Sequence, residues 1–236
     1  MHNLIFFSLA ALFALAPAAR AQSASFIVSQ HGKPVGTATA TFTAIPNGYD
    51  TTSIVRVAMQ GLDYNLSKTE YLTSANQLKH VQLSATVNGS AVNVIAAPDA
   101  NQILLNISAN GRSATTGLAK HDAAVFLPDF DPGALETLLA LAVSRNNRDL
   151  WAIIPKKSGA IEPIQLATYA DEQGTLDGQP IAVHHLIATI AGARTDLFSG
   201  PENQLLQAEL PQQGFALVRK GFLLTPPAKP GAPPAQ

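Results

Sequence analysis

Period-two alternation of apolar and polar residues dominates the first half of the chain. Between Thr37 and Ile45, threonines stand at 37, 39, 41 and 43, while Ala38, Ala40, Phe42 and Ala44 fill the alternate positions. From His80 to Asn88, His80, Gln82, Ser84, Thr86 and Asn88 alternate with Val81, Leu83, Ala85 and Val87. From Ile103 to Ala109, Ile103, Leu105, Ile107 and Ala109 form one face. Such alternation predicts strands with one buried and one wet face, which favours antiparallel pairing. Asn88-Gly89 and Asn110-Gly111 are hairpin signals, because a type I′ turn needs positive φ at both central residues. Strands are expected over 24–30, 35–45, 49–60, 63–74, 78–88, 91–97, 102–109 and 112–118. Further strands are expected over 150–155, 161–170, 180–191, 194–199, 203–209 and 214–219, separated by Asp177-Gly178, Ala191-Gly192, Ser199-Gly200 and Gln213-Gly214.

One segment breaks the period. Asp131-Pro132-Gly133-Ala134-Leu135 reads as a helix start, with Asp131 as N-cap and Pro132 at the first helical position. Phe130 and Leu135 are placed to form a hydrophobic staple. Leu135, Leu138, Leu139 and Ala142 recur at helical spacing as an apolar stripe, and Asn146-Asn147 can adopt a left-handed stop near 145. The fold class that follows is mainly β: a long curved antiparallel sheet, half-barrel or barrel, with one central helix near 132–145. One helix cannot cover both faces of so many strands, so the sheet must curl or close. Either solution leaves a concave apolar face.

The two ends read differently from this middle. Leu4 to Ala16 is an apolar run too short for a stable bilayer anchor, and Ala19-Arg20-Ala21 is a small-x-small cleavage site. Residues 1–21 are therefore expected to be a secretory signal peptide, leaving a periplasmic or extracellular chain with no integral membrane span. Residues 225–236 are rich in proline and read as a disordered tail. Residues 22–224 remain as a single β-rich domain.

Composition narrows the function. Charged residues make up only 13% of the 236, and the formal net charge is −1, so nucleic acid is not an expected partner. The absence of cysteine excludes disulfides, thiolate metal sites and thiol nucleophiles. No GxGxxG, GxxxxGK[ST], GxSxG, SxxK or HExxH occurs, so no catalytic residue, cofactor or metal site is assigned. His184-His185 is the one histidine pair, and neighbours on a strand point to opposite faces. Asp122, Asp129 and Asp131 lack the spacing of a calcium loop and read as a cap and turns. Phe126, Phe130, Leu135, Leu138, Leu139, Trp151 and Ile153 are the candidate ligand-binding residues, and each serves equally well as plain core.

The layout resembles a group of uncharacterised bacterial envelope proteins. The residues that carry the likeness are Ser25-Phe26-Ile27-Val28, the turn His31-Gly32-Lys33-Pro34-Val35-Gly36, and the closing Pro211-Gln212-Gln213-Gly214-Phe215-Ala216-Leu217-Val218-Arg219. The group is similar to periplasmic lipoprotein-carrier proteins, whose half-barrel holds acyl chains. That resemblance implies the fold and an exported location. The export signal, the sheet pattern and the lack of catalytic motifs lead to the expectation of a non-enzymatic exported protein binding an apolar small molecule or lipid in a β-sheet groove. The alternatives are an envelope interaction module that pairs through sheet edges with a protein partner, and a secreted hydrolase with a composite site around His121 or His185. A cavity of several hundred cubic ångströms beside Leu135–Leu139 favours carriage, and a close-packed interior favours scaffolding.

Overall fold

A computed structural model describes residues 21–156 and 159–226. The signal peptide expected over 1–21, except Ala21, and the tail beyond Pro226 lie outside the described residues. The first eight strands form a meander: β1 (Ala21–Gln30), β2 (Lys33–Ile45), β3 (Gly48–Met59), β4 (Leu62–Thr73), β5 (Leu78–Val87), β6 (Ser90–Asp99), β7 (Gln102–Ala109) and β8 (Arg112–Ala119). Then come β9 (Ala124–Phe126), α1 (Pro132–Ser144), β10 (Leu150–Ile154) and β11 (Ala160–Thr168). The chain closes with β12 (Glu172–Leu176), β13 (Gln179–Ile190), β14 (Ala193–Ser199), β15 (Leu205–Leu210), β16 (Phe215–Arg219) and β17 (Phe222–Leu224).

All of these strands belong to one sheet. Successive strands of the meander pair antiparallel from β8 back to β1. Strand β1 then takes β16 as its other neighbour. From there the order continues through β15, β14, β13, β11 and β10 to β9. Strand β8 comes near β11, and β9 near β5, so the sheet curls round on itself. Among the described residues no ladder joins the two edges, and the barrel stays open. Register shifts at Val28/Ser29, Tyr71/Leu72 and Phe198/Ser199 mark the places where β-bulges bend the strands.

The turns do what their sequences require. Asn88-Gly89, Asn110-Gly111, Asp177-Gly178 and Ala191-Gly192 all have positive φ at both residues, the backbone of a type I′ hairpin. The fourteen strands expected from alternation are present with ends shifted by three residues or fewer. Strands β9, β12 and β17 were not expected. Two are three residues long, and β12 is a short polar segment interrupted by Gly174, so none offers a period to read.

Two features go beyond the expected pattern. The antiparallel rule has an exception, because β9 and β10 are parallel and α1 is the crossover that parallel neighbours require. The apolar stripe is too narrow a description. Pro132, Gly133, Ala134, Leu135, Thr137, Leu138, Leu139, Leu141 and Ala142 are all buried, because the curled sheet meets the helix on several sides. The N-cap is as expected: Asp131 Oδ1 accepts from the Gly133 and Ala134 amides at 2.9 and 3.2 Å. Asn146 and Asn147 carry the left-handed backbone that ends the helix.

The main core runs along the inside of the sheet, from Phe26 and Val28 through Val55, Leu66, Val81 and Leu105 to Leu138 and Leu197. A small second core of Val183, Phe198, Leu206 and Phe222 lies under the flap formed by β12 and β17. No helix among the described residues is long and apolar enough to cross a membrane.

Candidate functional site

The inner face of β4 reads Leu62, Tyr64, Leu66, Lys68, Glu70 and Leu72 by alternation. Two charged residues thus stand on an otherwise apolar face, at 0% exposure each. Lys68 Nζ lies 2.9 Å from Glu70 Oε2 and 2.7 Å from Asp131 Oδ2. The cross-strand partners of Lys68 and Glu70 on β3 are Ser53 and Thr51, also buried. A polar rung therefore crosses the interior where the N-terminus of α1 meets the sheet. Burial alone would lower the Lys68 pKa, but the Asp131 and Glu70 carboxylates more than reverse this and hold the ammonium protonated. Burial pushes Glu70 above the ordinary carboxylate range, opposed by Lys68. Among the described residues, Glu70 Oε1 and Ser53 Oγ have no hydrogen-bond partner. Gly133 makes the approach possible, because a Cβ there would run into Ser53 Oγ. Sequence reasoning missed Lys68 and Glu70. Their signal was present: a Lys and a Glu two apart on the apolar face of a regular strand.

On one side of this rung lies an apolar cavity of about 650 Å³. Its walls are the inward residues at one end of the meander, among them Leu62 and Tyr64 of β4, Leu83 and Ala85 of β5, Val94 of β6 and Ile107 of β7. The segment Pro128–Phe130, between β9 and α1, closes one side. Phe130 has φ of 56°, which is rare for a bulky residue. Its ring packs against Tyr64 and Phe215 at centroid distances of 6.0 and 4.8 Å. Tyr64 Oη donates to the Asp129 carbonyl at 3.4 Å. Burial, with the nearby Asp129 and Asp131 charges, raises the Tyr64 pKa, so the phenol stays neutral. At the rim, Asp129 and Lys156 form an exposed ion pair at 2.7 Å, a geometry of small energetic weight. A smaller pocket of about 160 Å³ lies beside it, bordered by Phe130, Leu135, Ile190 and Leu217.

The candidate ligand-binding residues separate in the structure. Phe130 lines both the cavity and the smaller pocket, and Leu135 lines the smaller pocket. Phe126, Leu138, Leu139 and Ile153 are packed in the main core. Trp151 is half-buried and stacks on His121 at a centroid distance of 3.7 Å. The strand walls Leu83, Ala85, Val94 and Ile107 were legible as an apolar face but not as the edge of a cavity. Filled core and empty mouth give the same alternation.

The histidine pair sits elsewhere, on β13. His184 Nδ1 meets Asp171 at 2.9 Å. His185 lies between Glu172 and Asp196 at 3.1 and 3.0 Å and stacks on Phe198. Burial works to raise Asp196, but hydrogen bonds from Arg194 and His185 hold it below the ordinary carboxylate range. These carboxylates tie β12 and β14 to β13, and none of the group lines the apolar cavity. Among the described residues no group of three or more His, Asp or Glu is arranged to hold a metal ion.

On the other side of the polar rung, at the opposite end of β4, a second cavity of about 600 Å³ opens between the starts of β1 and β3, the end of β2 and α1. Glu136 of α1 borders it, and its Oε1 accepts from the Leu205 amide at 3.3 Å. Burial raises the Glu136 pKa from 4.5 to about 7, against the pull of the Leu205 amide and Arg219.

No family model matches the chain, and no curated protein does. Among solved structures, it is similar to a β-barrel-like protein of a domain of unknown function, DUF1849, from Brucella abortus. The match has 10% identity and a TM-score of 0.53, and it covers 86% of this chain and 97% of that one. A DUF1089 family protein from Pseudomonas aeruginosa matches at 8% identity and a TM-score of 0.40, over 89% of this chain and 97% of that one. The first likeness places the fold among β-barrel-like proteins.

Two outcomes are expected from the buried charges. Lys68→Met leaves two carboxylates without their cation and is expected to destabilise by about 3–5 kcal/mol in urea unfolding. Lys68→Met with Glu70→Leu should recover most of the loss, since the remaining Asp131 is still held by the helix amides. A double variant no more stable than the single would contradict this account. For Glu136, the folded state holds a proton that the unfolded chain releases at lower pH. Its stabilisation is fully present below about pH 4.5 and is lost as pH rises to about 7, a change of up to about 3 kcal/mol. Glu136→Gln should flatten this part of the stability profile, and an unchanged difference between about pH 5 and pH 8 would rule it out.

Proposed function

We propose that this is an exported, non-enzymatic protein that holds an apolar small molecule or lipid in the mouth of its curled sheet. The observation that carries this reading is the apolar cavity of about 650 Å³, within the range of pockets that enclose small ligands. Its strand walls are Leu, Ala, Val and Ile, and its polar groups lie at the margin: the Tyr64 hydroxyl, Asp129 and Lys156. A hydrocarbon chain suits such walls, because each buried methylene contributes about 0.8 kcal/mol. At the rim the Lys156 ammonium is already paired with Asp129, so the hydrocarbon contact rather than the charge of the head carries the affinity.

The site lies off the N-terminal end of α1 rather than along Leu135–Leu139. The helix body is close-packed, so the ligand proposed here sits above the core. Export is supported by the leader-like run Leu4–Ala16 with Ala19-Arg20-Ala21, and by the resemblance to periplasmic carriers. A second reading, an envelope interaction module, draws on β8, which among the described residues pairs with β7 alone and offers an edge for strand addition.

Binding is tested with the purified protein, a dansyl fatty acid and native mass spectrometry. Ala85→Trp, which fills the cavity, should weaken probe binding about 10-fold or more while the protein stays folded. A protein that carries no copurified ligand and binds no probe would sink the proposal. Capture of a stable envelope protein, lost on changing β8, would then favour the second reading. For export, N-terminal sequencing of the secreted chain should begin at Gln22; an intact leader on all of the protein would count against it.

A further inference from the structure

The cavity of about 600 Å³ at the opposite mouth differs in chemistry from the first. The inner faces of the strands change character there. On β1 the inward series Val28, Phe26, Ala24 ends in Gln22, and on β16 Phe215 and Leu217 give way to Arg219. Two aromatic residues, Phe42 and Tyr49, border the space together with the amides of Gln22, Asn76 and Asn203. The ionisable groups are mixed: the Glu136 and Glu202 carboxyl groups and the Arg219 guanidinium all border the space, and Arg219 is close enough to Glu136 to pull its pKa down against burial.

We propose that this mouth is a second binding site and that it takes a short neutral saccharide. The charge balance decides the class. An anion drawn to Arg219 meets Glu202, a cation drawn to Glu202 meets Arg219, and Glu136, which holds its proton up to about pH 7, attracts neither. A neutral polyhydroxylated ligand meets no such penalty. Its hydroxyls donate and accept at once, which matches a wall of amides, carboxylates and a guanidinium. Its C–H faces are apolar enough to lie on the rings of Phe42 and Tyr49. The volume falls within the range of pockets for small molecules. The polar rung of Thr51, Ser53, Lys68 and Glu70 stands between the two mouths, so the sites are separate and are occupied independently.

The test uses the purified protein with maltose, cellobiose and N,N′-diacetylchitobiose as probes, and citrate and spermidine as ionic comparators, by saturation-transfer NMR and titration calorimetry. At least one disaccharide should bind saturably. Gln22→Ala and Arg219→Gln should each weaken it about 5-fold or more, and Tyr49→Ala more strongly. Gln22 is exposed, so its variant should fold even if the Tyr49 variant, which also packs on the core, does not. Ala85→Trp should leave saccharide binding intact while removing the fatty-acid probe, and Gln22→Ala should do the reverse, so the two sites can fail separately. Absence of binding for all three disaccharides, binding unchanged in Gln22→Ala and Arg219→Gln, or tighter binding of citrate or spermidine would overturn the proposal.

Discussion

The contact between Lys68 and Asp131 fixes the rest of the molecule. A charge with no exposure to water is tolerated only beside its partner, so the ammonium on β4 and the carboxylate at the head of α1 have one acceptable arrangement. Asp131 does two things at once. It caps the first turn through Oδ1 and receives Lys68 at Oδ2. Such a pair contributes little net stability compared with apolar packing, but it is costly to break. Its effect is on position: it sets where the helix begins along the strand, and Gly133 lets the helix come that close.

Once the helix head is fixed, the interior is divided. Toward the start of β4, the walls stay apolar and the space between them is not filled, because α1 begins below it and only Pro128–Phe130 reaches across. Toward the end of β4, the helix runs on and presents Glu136 to a polar mouth. The unusual backbone of Phe130 belongs to the same arrangement. The chain must reverse between β9 and the Asp131 cap, and the Phe130 ring is held between Tyr64 and Phe215 while it does so.

Most of the sheet was legible in the sequence because alternation and I′ turns are local properties. Thr37–Ile45 and His80–Asn88 state their two faces outright, and each Asn-Gly turn sets its own backbone. The helix start was legible for the same reason, since Asp131 and Pro132 act within one turn. The site was less legible. Phe126, Leu138, Leu139 and Ile153 look like pocket residues in a list of large apolar side chains, yet they are packed solid. Ala85 and Ile107 look like core, yet they border open space. Volume is a property of what stands opposite a residue, and no stretch of one strand contains it.

The sequence by itself therefore determined most of the elements: fourteen of the seventeen strands, which of their faces are wet, and where the helix of the described residues begins and ends. Only the tertiary structure decided that Lys68, Glu70 and Asp131 meet, that β9 lies parallel to β10, and that the interior has two mouths of different chemistry. The physical reason is range. Propensity, capping and turn geometry act over a few residues, whereas a buried ion pair joining residues 68 and 131, or a cavity walled by four strands, depends on how the sheet curls.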